Sequence, residues 1–173
     1  MEDTLVEIIG IAIAAILMFI FPLITMADRT DDVSQLAVEI ATTEFVDEIR
    51  TSGKITPNAY NQFLTNIGST GNTYNVEMEV RVLDENPKRK TIQSGTTGTK
   101  ENVYYSVYNS QIETALEANR TYYLKEGDIV TVSAKNSNQT IAQQLKNFFY
   151  TVIGKDIYTI ASSHGGMVVA TGR

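Results

Sequence analysis

The feature that most constrains this chain is a run of twenty residues without a formal charge, from Ile8 to Ala27. At about 1.5 Å per residue, a helix over this run is about 30 Å long, which matches the hydrocarbon core of a bilayer. The run is apolar around its whole circumference, so it requires either lipid or a completely buried protein site. A chain of 173 residues that carries such a segment is predicted to form one compact domain with an appended helix.

The residues around the run leave several interpretations open. A cleaved signal peptide would use Thr25-Met26-Ala27 as its cleavage positions. However, Glu2, Asp3 and Glu7 precede the run, where a signal peptide carries Lys or Arg. A plain single-pass anchor explains the length, and the positive end of the helix would stabilise a carboxylate at Glu7 by about 0.3–1 kcal/mol.

A third interpretation rests on the residues that open the helix. Thr4-Leu5-Val6-Glu7-Ile8 precedes an unbroken apolar helix with Pro22 late in it, and this resembles the start of type IV pilins and pseudopilins. The resemblance implies that Glu7 neutralises the N-terminal amine of a neighbouring subunit and that Pro22 kinks the helix. A carboxylate in an apolar bundle is costly unless it meets an opposite charge.

The chain departs from this family at its N-terminus, since no basic leader ending in Gly precedes the helix. If Met1 is retained, we expect Glu2 or Asp3 to take over the charge pairing. The resemblance further implies that one set of apolar residues packs in the core of a helical filament: Ile8, Ile9, Ile11, Ile13, Ile16, Leu17, Phe19 and Ile20.

Beyond the uncharged run the pattern becomes amphipathic. Val33, Leu36, Ala37 and Ile40 recur at a spacing of three to four residues, and Phe45 and Ile49 form an i,i+4 pair, so the helix is predicted to continue to Gly53. Gly53 is typical of a helix C-terminus, and Thr56-Pro57 predicts the cap and first residue of a second helix.

A longer resemblance covers about residues 4–83. Phe45 to Pro57, FVDEIRTSGKITP, and Gly71 to Glu77, GNTYNVE, are similar to membrane-anchored, pseudopilin-like proteins of Gram-positive bacteria, which are related to the TadE-like subunits of tight-adherence pilus systems. This implies an α+β protein shaped like a lollipop. Residues 1–52 would form a transmembrane and spine helix, and residues 53–173 a head with a small antiparallel sheet.

The second half of the chain has patterns of short strands. Residues 73–83 alternate as in a half-buried strand, and residues 103–108 and 129–134 predict further strands. Residues 157–161 and 167–170 predict two closing strands on either side of Gly165-Gly166. A helix over residues 140–150 is expected to turn four apolar side chains toward the core: Ile141, Leu145, Phe148 and Phe149.

The composition argues against most chemistry. The chain has no Cys and only one His, so disulfides, thiolate metal sites and His-based zinc sites are not expected. His164 lies beside Ser162 and Ser163, and we predict a structural role for it. No catalytic residue, metal or cofactor is predicted, and a net charge of −6 disfavours general nucleic-acid binding.

The charge is divided unevenly along the chain. Residues 1–50 carry ten acidic and two basic side chains, a net of −8, whereas residues 51–173 carry ten acidic and twelve basic ones, a net of +2. Lys88, Arg89 and Lys90 form a basic loop that is predicted either to be solvated or to meet the acidic helix of a neighbouring subunit. Such exposed contacts select register more than they stabilise.

Together these patterns predict a pilin-like structural subunit that is not an enzyme. It would insert in membrane lipid with its head exported, and then polymerise with itself on the cell surface through the assembly machinery of a pilus or secretion system. Two alternatives remain: a minor pseudopilin that primes assembly, and a single-pass surface binding domain that does not polymerise.

Overall fold

The computed structural model describes residues 2–84, 104–150 and 159–172. A long apolar N-terminal helix is followed by a small antiparallel sheet, which confirms the α+β arrangement. The basic triplet Lys88, Arg89 and Lys90 lies outside the described residues. In chain order the elements are α1 Glu2–Ser52, β1 Lys54–Ile55, α2 Pro57–Gly68, β2 Tyr74–Leu83, β3 Tyr104–Tyr108, α3 Asn109–Glu117, β4 Tyr122–Tyr123, β5 Ile129–Asn136, α4 Ile141–Tyr150 and β6 Ala161–Met167.

Helix α1 is continuous over 51 residues, which corresponds to a length of about 75 Å. Pro22 lies inside it without ending it, and the kink at this position stays a prediction. The helix ends at Gly53 as predicted: this residue has φ +66°, and its N–H donates to the carbonyl of Ile49 at 2.8 Å. A Cβ on Gly53 would collide with the backbone of Ala170 and Gly172, so the close approach also requires glycine.

Helix α2 begins as predicted. The Thr56 hydroxyl accepts a hydrogen bond from the Ala59 N–H at 3.1 Å, and Pro57 occupies the first helical position. Phe63 of α2 is buried and stacks on Phe45 of α1, with the two ring centroids 4.6 Å apart. This aromatic pair holds α2 against the outer part of α1.

The main sheet has the strand order β3-β2-β5-β6, and all neighbours are antiparallel. The alternation predicted for residues 73–83 is confirmed, because one face of β2 is buried and the other is largely exposed. On the buried face Val76, Met78 and Val80 lie opposite Ala134, Val132 and Val130 of β5. Helix α1 packs on the sheet, so the core of the head lies between this face and the outer half of α1.

The end of the sheet differs from the prediction. One strand, β6, runs through Gly165 and Gly166, whereas residues 167–170 were expected to form a separate strand after these glycines. The glycines serve packing within the strand. A Cβ on Gly165 would meet the side chain of Thr131 in β5, and one on Gly166 would meet Arg50 of α1.

The sequence patterns also missed two features. Helix α3 follows β3 directly and buries Ile112 and Leu116. A second sheet is formed by β1 and β4, in which Ile55 pairs with Tyr122. The two strands of this sheet have only two residues each, too few for their periodicity to be recognised from sequence.

Candidate functional site

The N-terminal half of α1, which contains the uncharged run from Ile8 to Ala27, is exposed. No residue in its most apolar stretch of 18 residues is buried, so this half is not the core helix of the head. Glu7 is exposed near the start of this half. Glu2 and Asp3 lie in the first turn of the helix, and their side chains are outside the described part. Of the predicted packing residues, Ile20 is half-buried and the others are exposed: Ile8, Ile9, Ile11, Ile13, Ile16, Leu17 and Phe19.

The outer half of α1 carries the head on a face that the sequence pattern did not predict. Val38 and Ala41 are buried there together with the polar Thr42, whose hydroxyl donates to the carbonyl of Val38 at 2.7 Å. Phe45 and Ile49 are buried as their spacing suggested. The hydroxyl group of Thr42 is tolerated because its hydrogen bond stays within the helix.

Val33, Leu36 and Ile40, which recur at helical spacing, do not face the head. Leu36 is 57% exposed, and Val33 and Ile40 are exposed as well. At about 100° per residue, these three positions lie on the side of α1 opposite Val38. We call them the outer stripe. Residues 28–32, which include the charged Asp28, Arg29 and Asp32, separate the outer stripe from the uncharged run, and the stripe points away from the head.

A buried carboxylate joins α1 to the base of the head. Asp31 is 7% exposed, and its carboxylate accepts a hydrogen bond from the Thr140 hydroxyl at 2.7 Å. Thr140 also caps α4: its hydroxyl accepts from the Gln143 N–H at 3.2 Å, while the Gln143 amide oxygen accepts from the Thr140 N–H at 3.1 Å. This reciprocal pair is a capping box, and Asp31 fixes it against α1.

Polar side chains of α1 also hold the edge strand β6. The Gln35 amide donates to the Ala161 carbonyl at 2.8 Å and accepts from the Ala161 N–H at 3.0 Å, as a neighbouring strand would. Farther along, the Arg50 Nε donates to the Met167 carbonyl at 3.0 Å, and the Arg50 carbonyl accepts from the Val169 N–H at 2.9 Å. These bonds cover both ends of an edge that could otherwise pair with another chain.

Two clefts lie where the base of the head meets α1. The first has a volume of about 590 Å³ and is lined by the helix face from Met26 to Ala37 and by Ser69 and Thr70. The second, of about 390 Å³, has one wall from α1, which is apolar except for Thr30 and the buried Asp31, and another from the head, which is mostly polar but includes Ile141 and Ala142. Its lining includes Leu23, Met26, Ala27, Asn72, Asn138 and Ile141. We call this second space the basal cleft.

Two further polar residues of the head that the sequence singled out lie in a turn and on the edge strand. The Asp128 carboxylate is buried and accepts the N–H groups of Leu83 and Lys125, both at 2.9 Å, which closes the turn before β5. His164 is half-buried opposite Val132, beside a small cleft that also includes Glu39. Among the residues that the structure describes, no group of three or more acidic or His side chains could hold a metal ion.

Tyrosines contribute to both the packing and the surface of the head. The Tyr60 hydroxyl donates to the Glu113 carboxylate at 3.0 Å. Burial, and then this hydrogen bond, raise the pKa of Tyr60 well above its ordinary value. Burial likewise raises the pKa of Tyr122. On the open face of the sheet, the Arg81 guanidinium lies over the Tyr104 ring, 5.1 Å from its centroid.

The two sequence motifs for asparagine glycosylation have different surroundings. Asn138 is half-buried, and its side chain bonds to the Thr73 N–H at 2.8 Å and to the Asn72 side chain at 3.1 Å, so its amide is already engaged. Asn119 is exposed with φ 54° at the end of α3. There it occupies the left-handed position that closes this helix.

The chain matches no protein-family model, no curated protein and no solved structure. The function therefore has to be inferred from the geometry of α1 and of the head that packs on it.

Proposed function

We propose that this protein is a pilin-like structural subunit of a cell-surface filament. In this proposal α1 is held in membrane lipid, with the head exported, until the assembly machinery transfers it to a helical polymer of the same chain. The apolar helices then form the core of the polymer and the heads its surface.

The observation that carries this proposal is the length of exposed apolar surface on α1. Exposed apolar side chains occur from Leu5 to Ile40, with an interruption by the charged and polar residues 28–32. They extend over about 53 Å along the helix axis, whereas the hydrocarbon core of a bilayer is about 30 Å thick. Lipid alone would leave the outer stripe in water. A second helix that packs along α1 would cover the membrane segment and the outer stripe together.

The position of the head favours such packing. It lies on one side of α1 and leaves the opposite side open over the whole length of the helix. If the contact joins one surface of a chain to a different surface of its neighbour, the same contact repeats from chain to chain and builds an open filament. Glu7 would enter the apolar core of this filament, where an N-terminal amine of a neighbour is the partner expected from the family resemblance.

The proposal can be tested with single thiols, because the chain has no Cys. Leu36→Cys places a thiol on the outer stripe, and Glu126→Cys places a control thiol in an exposed turn of the head. In fibres sheared from cells we expect a bulky maleimide to label only the control. In detergent-solubilised monomers it should label both variants.

Three results would separate the alternatives. Fibres without the chain, together with monodisperse protein in detergent, would contradict the filament and favour a membrane-anchored binding domain. Equal labelling of both thiols in fibres would contradict burial of the outer stripe. A chain found only at trace copy number in fibres would identify a priming subunit instead of the bulk component.

A further inference from the structure

The first residue of α4 is exposed, although its spacing predicted that it faces the core. Ile141 is 72% exposed, while the next two residues, Ala142 and Gln143, are buried. The capping box explains this orientation, because the bond from Thr140 to Asp31 fixes the start of α4 against α1. The side chains of Leu145, Phe148 and Phe149 lie outside the described part.

Ile141 lines the basal cleft, and so do residues of the uncharged run. The opposite wall is formed by Leu23, Met26 and Ala27, and of these Leu23 and Met26 are largely exposed. Helix α1 is the only helix in the described residues that is long and apolar enough to cross a membrane. The exposed Ile141 of the head therefore lines the same cleft as the last part of the apolar segment of α1.

The depth of this space follows from the sequence of α1. The uncharged run ends at Ala27, and Asp28 and Arg29 are the first charged residues after it. If the run spans the hydrocarbon core, Leu23 and Met26 lie at its boundary, and Ile141 lies at the same depth. The cleft also includes uncharged polar groups, from Thr30 of α1 and from Asn72 and Gln139 of the head, which suit the headgroup layer.

We propose that the basal cleft is a lipid contact, in which Ile141 touches the acyl chains of the membrane that α1 crosses. The start of α4 then contacts the membrane surface, so no uncovered segment of α1 separates the head from the membrane. Continuity with the apolar surface of α1 identifies the occupant as lipid. This inference rests on the membrane insertion of α1, but not on filament assembly.

The absence of Trp from the chain gives a direct test. Ile141→Trp introduces a single indole, which is read in nanodiscs that hold one copy of the full chain and phospholipids brominated either near the headgroup or near the chain ends. We expect a blue-shifted emission that loses most of its intensity with the lipids brominated near the headgroup, and less with the others.

Two control positions distinguish the possible failures. Phe19→Trp, at a position 74% exposed in the uncharged run, should be quenched if α1 is inserted, and Tyr108→Trp, 63% exposed on the head, should not be quenched.

Quenching at Phe19→Trp without quenching at Ile141→Trp overturns the lipid contact and leaves the anchor intact. A blue-shifted but unquenched Ile141→Trp indole means that protein covers the cleft, which also overturns it. No quenching at either position overturns membrane insertion itself. Met26→Trp, on the facing wall, repeats the test if Ile141→Trp does not fold.

Discussion

At the scale of single residues, two side chains of the folded head and its helix each depend on one hydrogen-bond partner. Asp31 depends on the Thr140 hydroxyl, and Tyr60 depends on the Glu113 carboxylate. Glu7 is exposed in the single chain, and it would require a partner only once neighbouring helices cover it. This difference makes Glu7 a residue whose substitution should affect assembly and not folding.

Glu7→Ala should therefore lower incorporation into fibres by at least about tenfold, since an amine left unpaired in an apolar bundle costs more than the 1.4 kcal/mol that a factor of ten represents. The amount of the chain in the membrane fraction should not change. Immunoblots of sheared fibres and of membranes measure the two quantities, and Glu48→Ala, an exposed acid farther along α1, is the control. Normal fibre yield from Glu7→Ala would leave only a helix-dipole role for this residue.

Tyr60 predicts how the head responds to alkaline pH. Its pKa is raised in the folded state, so its contribution to stability is complete below the unfolded value of about 10 and is lost as the pH rises above it. Tyr60→Phe should cost about 0.5–1.5 kcal/mol at neutral pH through the lost hydrogen bond. It should also flatten the fall in stability above pH ~10, and Tyr122 should retain part of the slope.

Thermal unfolding at a series of pH values, followed by near-ultraviolet circular dichroism in detergent, measures this effect. Tyr123→Phe is the matched control, since Tyr123 is exposed. An equal pH slope in Tyr60→Phe and in the unmodified chain would contradict the assignment.

At the scale of elements, the ends of helices were predictable because their signals are local. Gly53 and Thr56-Pro57 determine where α1 ends and α2 begins, and each acts through bonds to residues at most four positions away. The face of α1 that meets the head was not predictable. The apolar residues of the outer stripe can be recognised in the sequence, but the sequence does not show whether the head or another molecule covers them.

The strand through Gly165 and Gly166 was missed for a related reason. Glycine is depleted in strands, so the pair indicated a turn. Its actual cause is the close approach of Thr131 and Arg50, which lie far away in the sequence. Ile141 followed the apolar spacing of α4, and its exposure results from the bond between Thr140 and Asp31, which no local pattern contains.

The hydrogen bond between Thr140 and Asp31 predicts how substitutions at the start of α4 change the stability of the chain. Thr140→Val removes the helix cap and the hydrogen-bond donor to buried Asp31, so we expect a loss of about 2 kcal/mol in the free energy of unfolding. Asp31→Asn combined with Thr140→Val should cost less than the sum of the single changes, because the two residues share one interaction. Chemical denaturation of the full chain in detergent measures these values.

Thr65→Val is the control for this prediction. Its hydroxyl donates to the Asn61 carbonyl on the exposed face of α2, so its removal should change stability by less than about 0.5 kcal/mol. Fully additive losses in the double variant would show that Asp31 and Thr140 act independently.

At the scale of the whole molecule, the chain separates folding from its proposed assembly. The head folds on one side of α1, and the opposite side takes no part in its core. Leu36→Glu should therefore change the stability of the monomer by less than about 0.5 kcal/mol, because the side chain is exposed. In the proposed filament the same change places a charge in a helix contact, so we expect fibres to be lost.

Electron microscopy of cells that express the variant, with thermal unfolding of the detergent-solubilised chain, measures both parts of this prediction. Gln111→Glu, which introduces the same charge on the exposed surface of α3, should leave fibre yield unchanged. Normal fibres from Leu36→Glu would contradict a role of the outer stripe in assembly.

The bonds between α1 and β6 also determine when the head can close. Gln35 and Ala161 are 126 positions apart in the sequence, and Arg50 and Met167 are 117 positions apart. At about 5–20 residues per second, a ribosome needs roughly 6–23 s to reach Met167 after it has added Arg50. Throughout that interval α1 is complete while the strand that it holds does not yet exist. If α1 is inserted in a membrane as it is made, its insertion precedes closure of the head by seconds, and any factor that shields Val38, Phe45 and Ile49 has to act within that time.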